Sequence, residues 1–202
     1  MTTVTLALML FAMTVTPGPN NALLLYQGST RGFRAGLPLA MGIVVGGCMT
    51  LVLSWMLLDS LQHWLPGAAS ALSFASFVLL SGMGILLWRQ DPNGREPAAR
   101  VGQIGPWSMA AFQLVNPKAW AFLGSLVAIQ ASRADAPGLL PMAITFAATS
   151  LSCSVLWLGA GHAVERWIKT PSRRRSFNRG MAVVLLATAA WAYLGQLKEM
   201  NP

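Results

Sequence analysis

Long uncharged stretches, separated by short charged segments, set the pattern of this chain. The first charged side chain is Arg31, and the segment 101–132 contains a single charge, Lys118. Further uncharged stretches lie between Arg34 and Asp59, Asp59 and Arg89, Asp135 and Glu165, and Arg179 and Lys198. About 20 apolar residues cross a bilayer as a helix, and turn residues such as Pro66-Gly67 and Pro137-Gly138 mark helix ends. The pattern predicts an all-α integral membrane protein with six transmembrane helices.

Composition agrees with a membrane protein and excludes a soluble one. Hydrophobic residues make up 54% of the chain and charged residues 10%, whereas soluble domains carry roughly 25% charged residues. A membrane barrel would instead alternate apolar and polar positions over about ten residues. The first apolar stretch lacks a basic leader segment and continues to Tyr26, so we expect it to be a retained helix and not a secretory signal.

The distribution of basic residues predicts the orientation in the membrane. Lys and Arg are concentrated in the connections after the first, third and fifth helices, which hold Arg31 and Arg34, then Arg89, Arg95 and Arg100, then Arg166, Lys169, Arg173, Arg174, Arg175 and Arg179. The opposite side holds only Arg133 and Lys198. Since cytoplasmic loops carry the excess of positive charge, we expect both termini outside.

A net charge of +8 also raises the possibility of nucleic-acid binding, but basic loops beside membrane helices are what topology and anionic lipids require. We therefore expect a lipid bilayer and no nucleic acid as partner. Cys48 and Cys153 lie within predicted helices without neighbours at metal-ligand spacing. They are interpreted as packing residues, and no metal or cofactor is predicted.

The six predicted helices form two groups of three. Because three is an odd number, the second group would enter the membrane in the opposite sense, which predicts an inverted repeat within a single transmembrane domain of residues 1–202. The repeats would span 1–90 and 104–197. Transporters built in this way interrupt corresponding helices near the binding site. The first helix contains Thr16-Pro17-Gly18-Pro19-Asn20-Asn21, and the fourth contains Gln113-Leu114-Val115-Asn116-Pro117-Lys118. The two interruptions fall in comparable places.

Each proline removes a helical hydrogen bond, so Pro17, Pro19 and Pro117 would release the carbonyl groups of Met13, Val15 and Gln113. Released carbonyls are tolerated in a membrane only beside protein, water or a ligand, and they would suit an ammonium group. A kink that merely helps helices to pack is the alternative, but two matched breaks flanked by Asn favour a functional site.

Lys118 is the one charge near the middle of a predicted helix, where a cation costs about 3 kcal/mol on insertion scales. It would hold a substrate carboxylate or carry a proton. No carboxylate lies deep in a predicted helix, so His162 is the other residue that could carry protons, although it is most simply an interfacial histidine. Tyr26 and Trp64 are interpreted as interface anchors.

Gly42-Ile43-Val44-Val45-Gly46 has the small-xxx-small spacing of close helix contacts. It fits packing within the bundle, a homodimer interface or a surface that slides during transport.

Several motifs together resemble the LysE/RhtB family of amino-acid exporters. The run 16–21, the segment 28–36 and the Gly42–Gly46 motif are similar to the N-terminal signature of that family, and Phe112-Gln113-Leu114-Val115-Asn116-Pro117-Lys118-Ala119-Trp120 is similar to its central motif. The resemblance implies export of an amino acid or derivative across a bacterial inner membrane, driven by an ion gradient. Carried over by residue, it points to Pro17, Gly18, Pro19, Asn20, Asn116, Pro117 and Lys118; Asn21 is added from the first break.

We therefore expect a secondary active exporter that works by alternating access, with protons as the coupling ion. Some exporters of basic amino acids that resemble this chain have glutamine at the position of Asn20. The asparagine here favours a neutral substrate. An enzyme is not expected, because neither His-Glu-x-x-His nor Gly-x-Ser-x-Gly occurs. The alternative function is a membrane assembly or structural subunit in which Lys118 pairs with a partner protein.

Overall fold

The computed structural model describes residues 3–16, 18–57, 74–75, 77–89, 104–131 and 138–200, in which all regular structure is helical. The helices are α1 (Thr3–Val15), α2 (Pro19–Arg31), α3 (Phe33–Met56), α4 (Phe77–Arg89), α5 (Pro106–Val115), α6 (Pro117–Ala131), α7 (Leu139–Glu165) and α8 (Pro171–Met200). The predicted all-helical fold is confirmed.

Both predicted interruptions are present. The predicted first helix consists of α1 and α2, which are separated at residues 16–18, and the predicted fourth helix consists of α5 and α6, which are separated at Asn116. Within the described residues, α3 and α7 are the two helices that are long and apolar enough to cross a membrane unbroken. The two broken helices therefore accompany two continuous ones.

The continuous helices hold the broken ones together. Helix α7 packs along both α1 and α2, α3 packs along both α5 and α6, and α3 and α7 pack against each other. Each broken helix thus lies against a continuous helix from the other half of the chain.

Glycines allow these helices to approach closely. A Cβ atom on Gly42 would overlap the carbonyl oxygen of Pro106, and one on Gly46 would crowd the backbone of Ala110. The Gly42–Gly46 motif therefore serves packing within the bundle, between α3 and α5. Gly32, at φ +83°, adopts the left-handed conformation that glycine tolerates best and makes the sharp turn from α2 to α3.

Apart from Lys118, the basic residues that the structure describes in and after α2, α4 and α7 lie toward one end of the bundle. Gly28 of α2 contacts the backbone of α7 at Leu158 and His162, so the end of α2 lies beside the end of α7. The guanidinium of Arg179 lies 5.1 Å from the centre of the Trp88 ring, which places the end of α4 beside the start of α8. We call this the basic end.

Two apolar clusters lie above and below the level of the helix breaks. The basic-end cluster joins α2, α3, α4, α5, α7 and α8 through residues that include Leu24, Tyr26, Leu158 and Leu185. The far-end cluster joins α1, α3, α6 and α7 through Leu6, Leu10, Leu123 and Phe146, among others.

Tyr26 is 1% exposed, so its interpretation as an interface anchor is wrong. Trp64, the other predicted anchor, lies outside the described residues.

Candidate functional site

A cavity of about 50 Å³ lies where the two helix breaks meet. Both breaks contribute to its wall, α3 adds Ile43 and Gly47, and α7 adds a polar face. Since Ile43 belongs to the basic-end cluster and Phe146 to the far-end cluster, the cavity lies between the two apolar clusters.

The structure brings most of the predicted site residues together. The residues that line the cavity include Gly18, Pro19, Asn20, Asn21, Asn116 and Lys118. Pro117 is the first residue of α6 and is not among the lining residues. Pro17 lies outside the described residues, and its assignment stays a prediction. Lys118 is the second residue of α6, at the start of a half-helix, and it is exposed, although the sequence predicted a charge deep within a continuous helix.

The first break satisfies its own carbonyl groups. Asn21 donates its side-chain amide to the carbonyl oxygens of Thr14 and Thr16, both at 2.8 Å. The hydroxyl of Thr16 donates to the carbonyl of Met13 at 2.6 Å. The prediction that the Met13 carbonyl stands free for a ligand is therefore wrong, whereas that for the Val15 carbonyl stays a prediction. The side-chain amide of Asn21 is occupied by the backbone of the break.

The second break is closed by the residues around it. The carbonyl of Gln113, which was also predicted to be free, accepts the backbone N–H of Asn116 at 3.2 Å. The side-chain oxygen of Asn116 accepts the backbone N–H of Lys118 at 3.1 Å and so caps α6. The carbonyl of Leu114 would accept that N–H in an unbroken helix, and it accepts the indole N–H of Trp120 instead, at 2.7 Å.

Gln113 joins the two breaks. Its Oε1 atom accepts the side-chain amides of Asn20 and Asn116, each at 3.1 Å, and its Nε2 atom donates to the carbonyl of Ile43 at 3.5 Å. A second link is the ammonium of Lys118, which donates to the hydroxyl of Thr16 at 2.9 Å. Buried amide networks of this kind hold their members in one arrangement.

Two groups at the cavity are suited to a ligand. Among the described residues, the Oδ1 atom of Asn20 is buried without a hydrogen-bond partner, which makes it an acceptor for a cation. The Nζ atom of Lys118 lies close to the start of α2, because a Cβ on Gly18 would be 3.3 Å from it. No described side chain caps α2 at Gly18, so the helix N-terminus and the ammonium together favour an anion.

Several cavity residues were missed by the sequence predictions. They are Thr14, Thr16, Gln113, Ser150, Cys153 and Ser154. Gln113 could have been found, because it is the one polar residue in the segment 109–115. Cys153, interpreted as a packing residue, also accepts a hydrogen bond from the hydroxyl of Thr14 at 3.1 Å. The positions on α7 depend on which face of that helix points inward, and this is a property of the tertiary structure.

The other titratable residues considered from the sequence lie elsewhere. His162 is exposed, and its Nδ1 atom lies 2.8 Å from Oε2 of Glu165. Neither residue lines the cavity. Within the described part of the chain, no group of three His, Cys, Asp or Glu residues is placed to hold a metal ion.

Asn20 and Asn21 make a matched pair of neighbouring amides with different expected roles. Asn21→Ala removes the donor to two carbonyls, and we expect the free energy of unfolding to fall by about 2 kcal/mol. Asn20→Ala loses one shared hydrogen bond, so it should cost about half as much stability. Unfolding in mixed detergent micelles measures both effects. Equal losses of stability would contradict this division of roles.

Among known protein families, the profile of the LysE type translocator family matches residues 11–195 of this chain. The chain is 26% identical over 192 residues to the chemotactic transduction protein ChpE of Pseudomonas aeruginosa, covering 92% of this chain and 94% of that protein. It is 25% identical over 181 residues to the cysteine/O-acetylserine efflux protein of Salmonella typhi, covering 86% and 89%. With the protein of that name from Escherichia coli O139:H28, identity is 26% over 183 residues, covering 87% and 89%. No solved structure gives a significant match.

Proposed function

The chain belongs to the LysE type translocator family, and from this premise we propose that it is a secondary active exporter of neutral amino acids or their derivatives that works by alternating access. The resemblance carried by the two motifs is confirmed, and the chain is an integral membrane protein. One observation carries the proposal: two helix breaks meet at one cavity that offers a cation, Lys118, and an unpartnered acceptor, Asn20 Oδ1.

The charges at the cavity suit a zwitterion. An amino acid carries a carboxylate and an ammonium on one carbon, and the site offers a group for each. The carboxylate binds the Lys118 ammonium at the N-terminus of α2, where half-helix dipoles favour anions. The ammonium donates to the Oδ1 atom of Asn20. Substrates of this class agree with the name of the cysteine/O-acetylserine efflux proteins to which the chain is similar.

The proposed architecture is six membrane helices in two inverted repeats, 1–90 and 104–197, in the inner membrane of a bacterium. The reciprocal packing of α3 on the broken α5–α6 pair and of α7 on the broken α1–α2 pair supports the repeats. Collection of the basic residues at one end supports a cytoplasmic location for that end and an outer location for both termini. The test is a reporter that is active only outside the cytoplasm, fused after residue 202. If this orientation holds, the fused reporter is active.

The two apolar clusters act as the gates in the proposed cycle. A cavity needs about 10–15 Å³ for one water molecule, so 50 Å³ has room for only a few waters. An amino acid such as serine, with seven heavy atoms, needs more space than this, so the cavity widens during the proposed cycle. Opening the basic-end cluster admits substrate from the cytoplasm, and opening the far-end cluster releases it outside. Protons drive the cycle through Lys118, the one charged side chain among the described residues that line the cavity.

A membrane assembly subunit remains the second candidate function, because a relative of similar identity is named as a chemotactic transduction protein. In that case Lys118 would contact a partner protein and its replacement would dissociate a complex. The Lys118 ammonium is exposed but donates to the hydroxyl of Thr16 in its own chain at 2.9 Å, and this internal partner favours the exporter.

Efflux from cells tests the exporter directly. Cells that express the protein are loaded with a panel of labelled amino acids of neutral, acidic and basic character, and release is followed with and without an uncoupler. We expect release of small neutral amino acids that the uncoupler abolishes. Release of basic amino acids alone would contradict the neutral-substrate proposal, and no release from cells with verified membrane expression would contradict the exporter.

A further inference from the structure

One face of α7 brings three small polar side chains into the wall of the cavity. Cys153 and Ser154 lie about one helical turn beyond Ser150 on this face, and all three are 1–3% exposed. Other hydroxyl residues of α7, Thr145, Thr149 and Ser152, donate to carbonyl groups of their own helix. The hydroxyls of Ser150 and Ser154 instead lie in the layer that holds Asn20 and Lys118.

The groups for the substrate backbone come from the opposite wall. Asn20 and Lys118 belong to the broken helices, so an amino acid bound by its ammonium and carboxylate directs its side chain toward the remaining walls. These walls are formed by α7 and by Ile43 and Gly47 of α3. Of them, α7 is the one that presents hydrogen-bonding groups.

Phe146 limits the space available to that side chain. Its ring is 4% exposed and lies against Gly47, where a Cβ atom would overlap the ring. Leu123 lines the same region. A bulky side chain would have to displace Phe146 from the far-end cluster, at the cost of core packing.

Charge sets a further limit. Among the described residues that line the cavity there is no carboxylate, so a cationic side chain would be buried without a partner, and such burial is strongly unfavourable. Hydroxyl and thiol groups, in contrast, can pair with Ser150 and Ser154.

We infer that the α7 face formed by Ser150, Cys153 and Ser154 is the side-chain subsite of the transporter, and that it selects small uncharged amino acids whose side chain carries a hydroxyl or thiol near Cα. This inference rests on the proposed export function. The two serines bind the polar group of the side chain, and Phe146 sets the upper limit of its length.

Paired substrates that differ in one group test the subsite. Serine differs from alanine by one hydroxyl, and cysteine is nearly isosteric with 2-aminobutyrate. Wild-type protein and the variants Ser150→Ala, Ser154→Ala and Ser152→Ala are reconstituted, and kcat/KM for efflux is measured for each member of both pairs. Ser152 is the matched control, because it is an exposed serine of the same helix whose hydroxyl donates to the carbonyl of Ala148.

We expect the wild type to prefer serine over alanine and cysteine over 2-aminobutyrate. Ser150→Ala or Ser154→Ala should reduce at least one of these preferences about tenfold, as expected for loss of a hydrogen bond in a closed site. Alanine efflux should be retained, and Ser152→Ala should match the wild type.

Other outcomes separate the subsite from the transport function. Unchanged preferences in both cavity variants, with active wild-type protein, would overturn the subsite and leave the exporter intact. An equal fall for both members of each pair would assign the serines to the transport cycle and also overturn the subsite. No efflux of any amino acid by the wild type would overturn the exporter, and the subsite with it.

Discussion

Replacing Lys118 by Met reduces gradient-driven efflux about 100-fold or more while the protein still reaches the membrane. The ammonium is the one described charge in the wall of the cavity, and in the proposed cycle it binds the substrate carboxylate and carries the proton. A factor of 100 corresponds to about 2.8 kcal/mol, which is within the range for loss of a hydrogen bond to a charged group. Initial efflux rates from proteoliposomes, normalised to reconstituted protein, measure the effect.

Lys169→Met is the matched control for this substitution. Lys169 is exposed in the connection between α7 and α8 and is remote from the cavity, so its replacement should leave efflux within about twofold of the wild type. If Lys118→Met transports as fast as Lys169→Met at equal expression, Lys118 neither binds substrate nor couples protons, and the site assignment is wrong.

Gly161→Ala lowers the free energy of unfolding by about 2–3 kcal/mol, in the upper part of the range for overpacking. Glycine at this position lets α7 lie against α2, because an added Cβ would overlap the carbonyl oxygen of Leu25 and approach the backbone of Ser29. These obstacles are backbone atoms, which cannot rotate away as a flexible side chain can. Reversible unfolding in mixed detergent micelles provides the measurement.

Gly159 offers a control two residues away on the same helix. A Cβ built on Gly159 has no atom within 4 Å, so Gly159→Ala should leave stability unchanged or raise it slightly through the better helix propensity of alanine. Similar destabilisation by both substitutions would contradict close α2–α7 packing as the cause.

Local chemistry explains which features could be predicted from the sequence. Proline cannot continue a hydrogen-bonded helix, so both breaks were predictable to within a few residues. The apolar lengths likewise predicted helical structure throughout the described residues. These features depend on single residues and their immediate neighbours, and tertiary contacts did not alter them.

The hydrogen-bond partners of the groups at each break were less predictable. Released carbonyls were expected to bind an ammonium, but the hydroxyl of Thr16 satisfies that of Met13, and the backbone N–H of Asn116 satisfies that of Gln113. The asparagines that marked the site have different roles, and only contacts in three dimensions distinguish Asn20 from Asn21. Tyr26 was interpreted as a membrane-interface anchor, yet it lies in the basic-end cluster and is 1% exposed.

The polar face of α7 was not predicted for a related reason. Small residues and hydroxyls occur around the whole circumference of this helix, including Thr145, Thr149 and Ser152, which satisfy themselves on their own backbone. The sequence period therefore does not show which serines point inward. Packing of α7 against α1, α2 and α3 makes that choice.

Transport by the purified protein alone is the most direct test of the central proposal. The protein is reconstituted without partners into proteoliposomes loaded with labelled serine or O-acetylserine, and release is measured with and without an imposed proton gradient. The account predicts gradient-dependent release well above that of empty liposomes. Release equal to that of empty liposomes for every neutral amino acid tested, from protein that is folded, would contradict it and favour the assembly subunit.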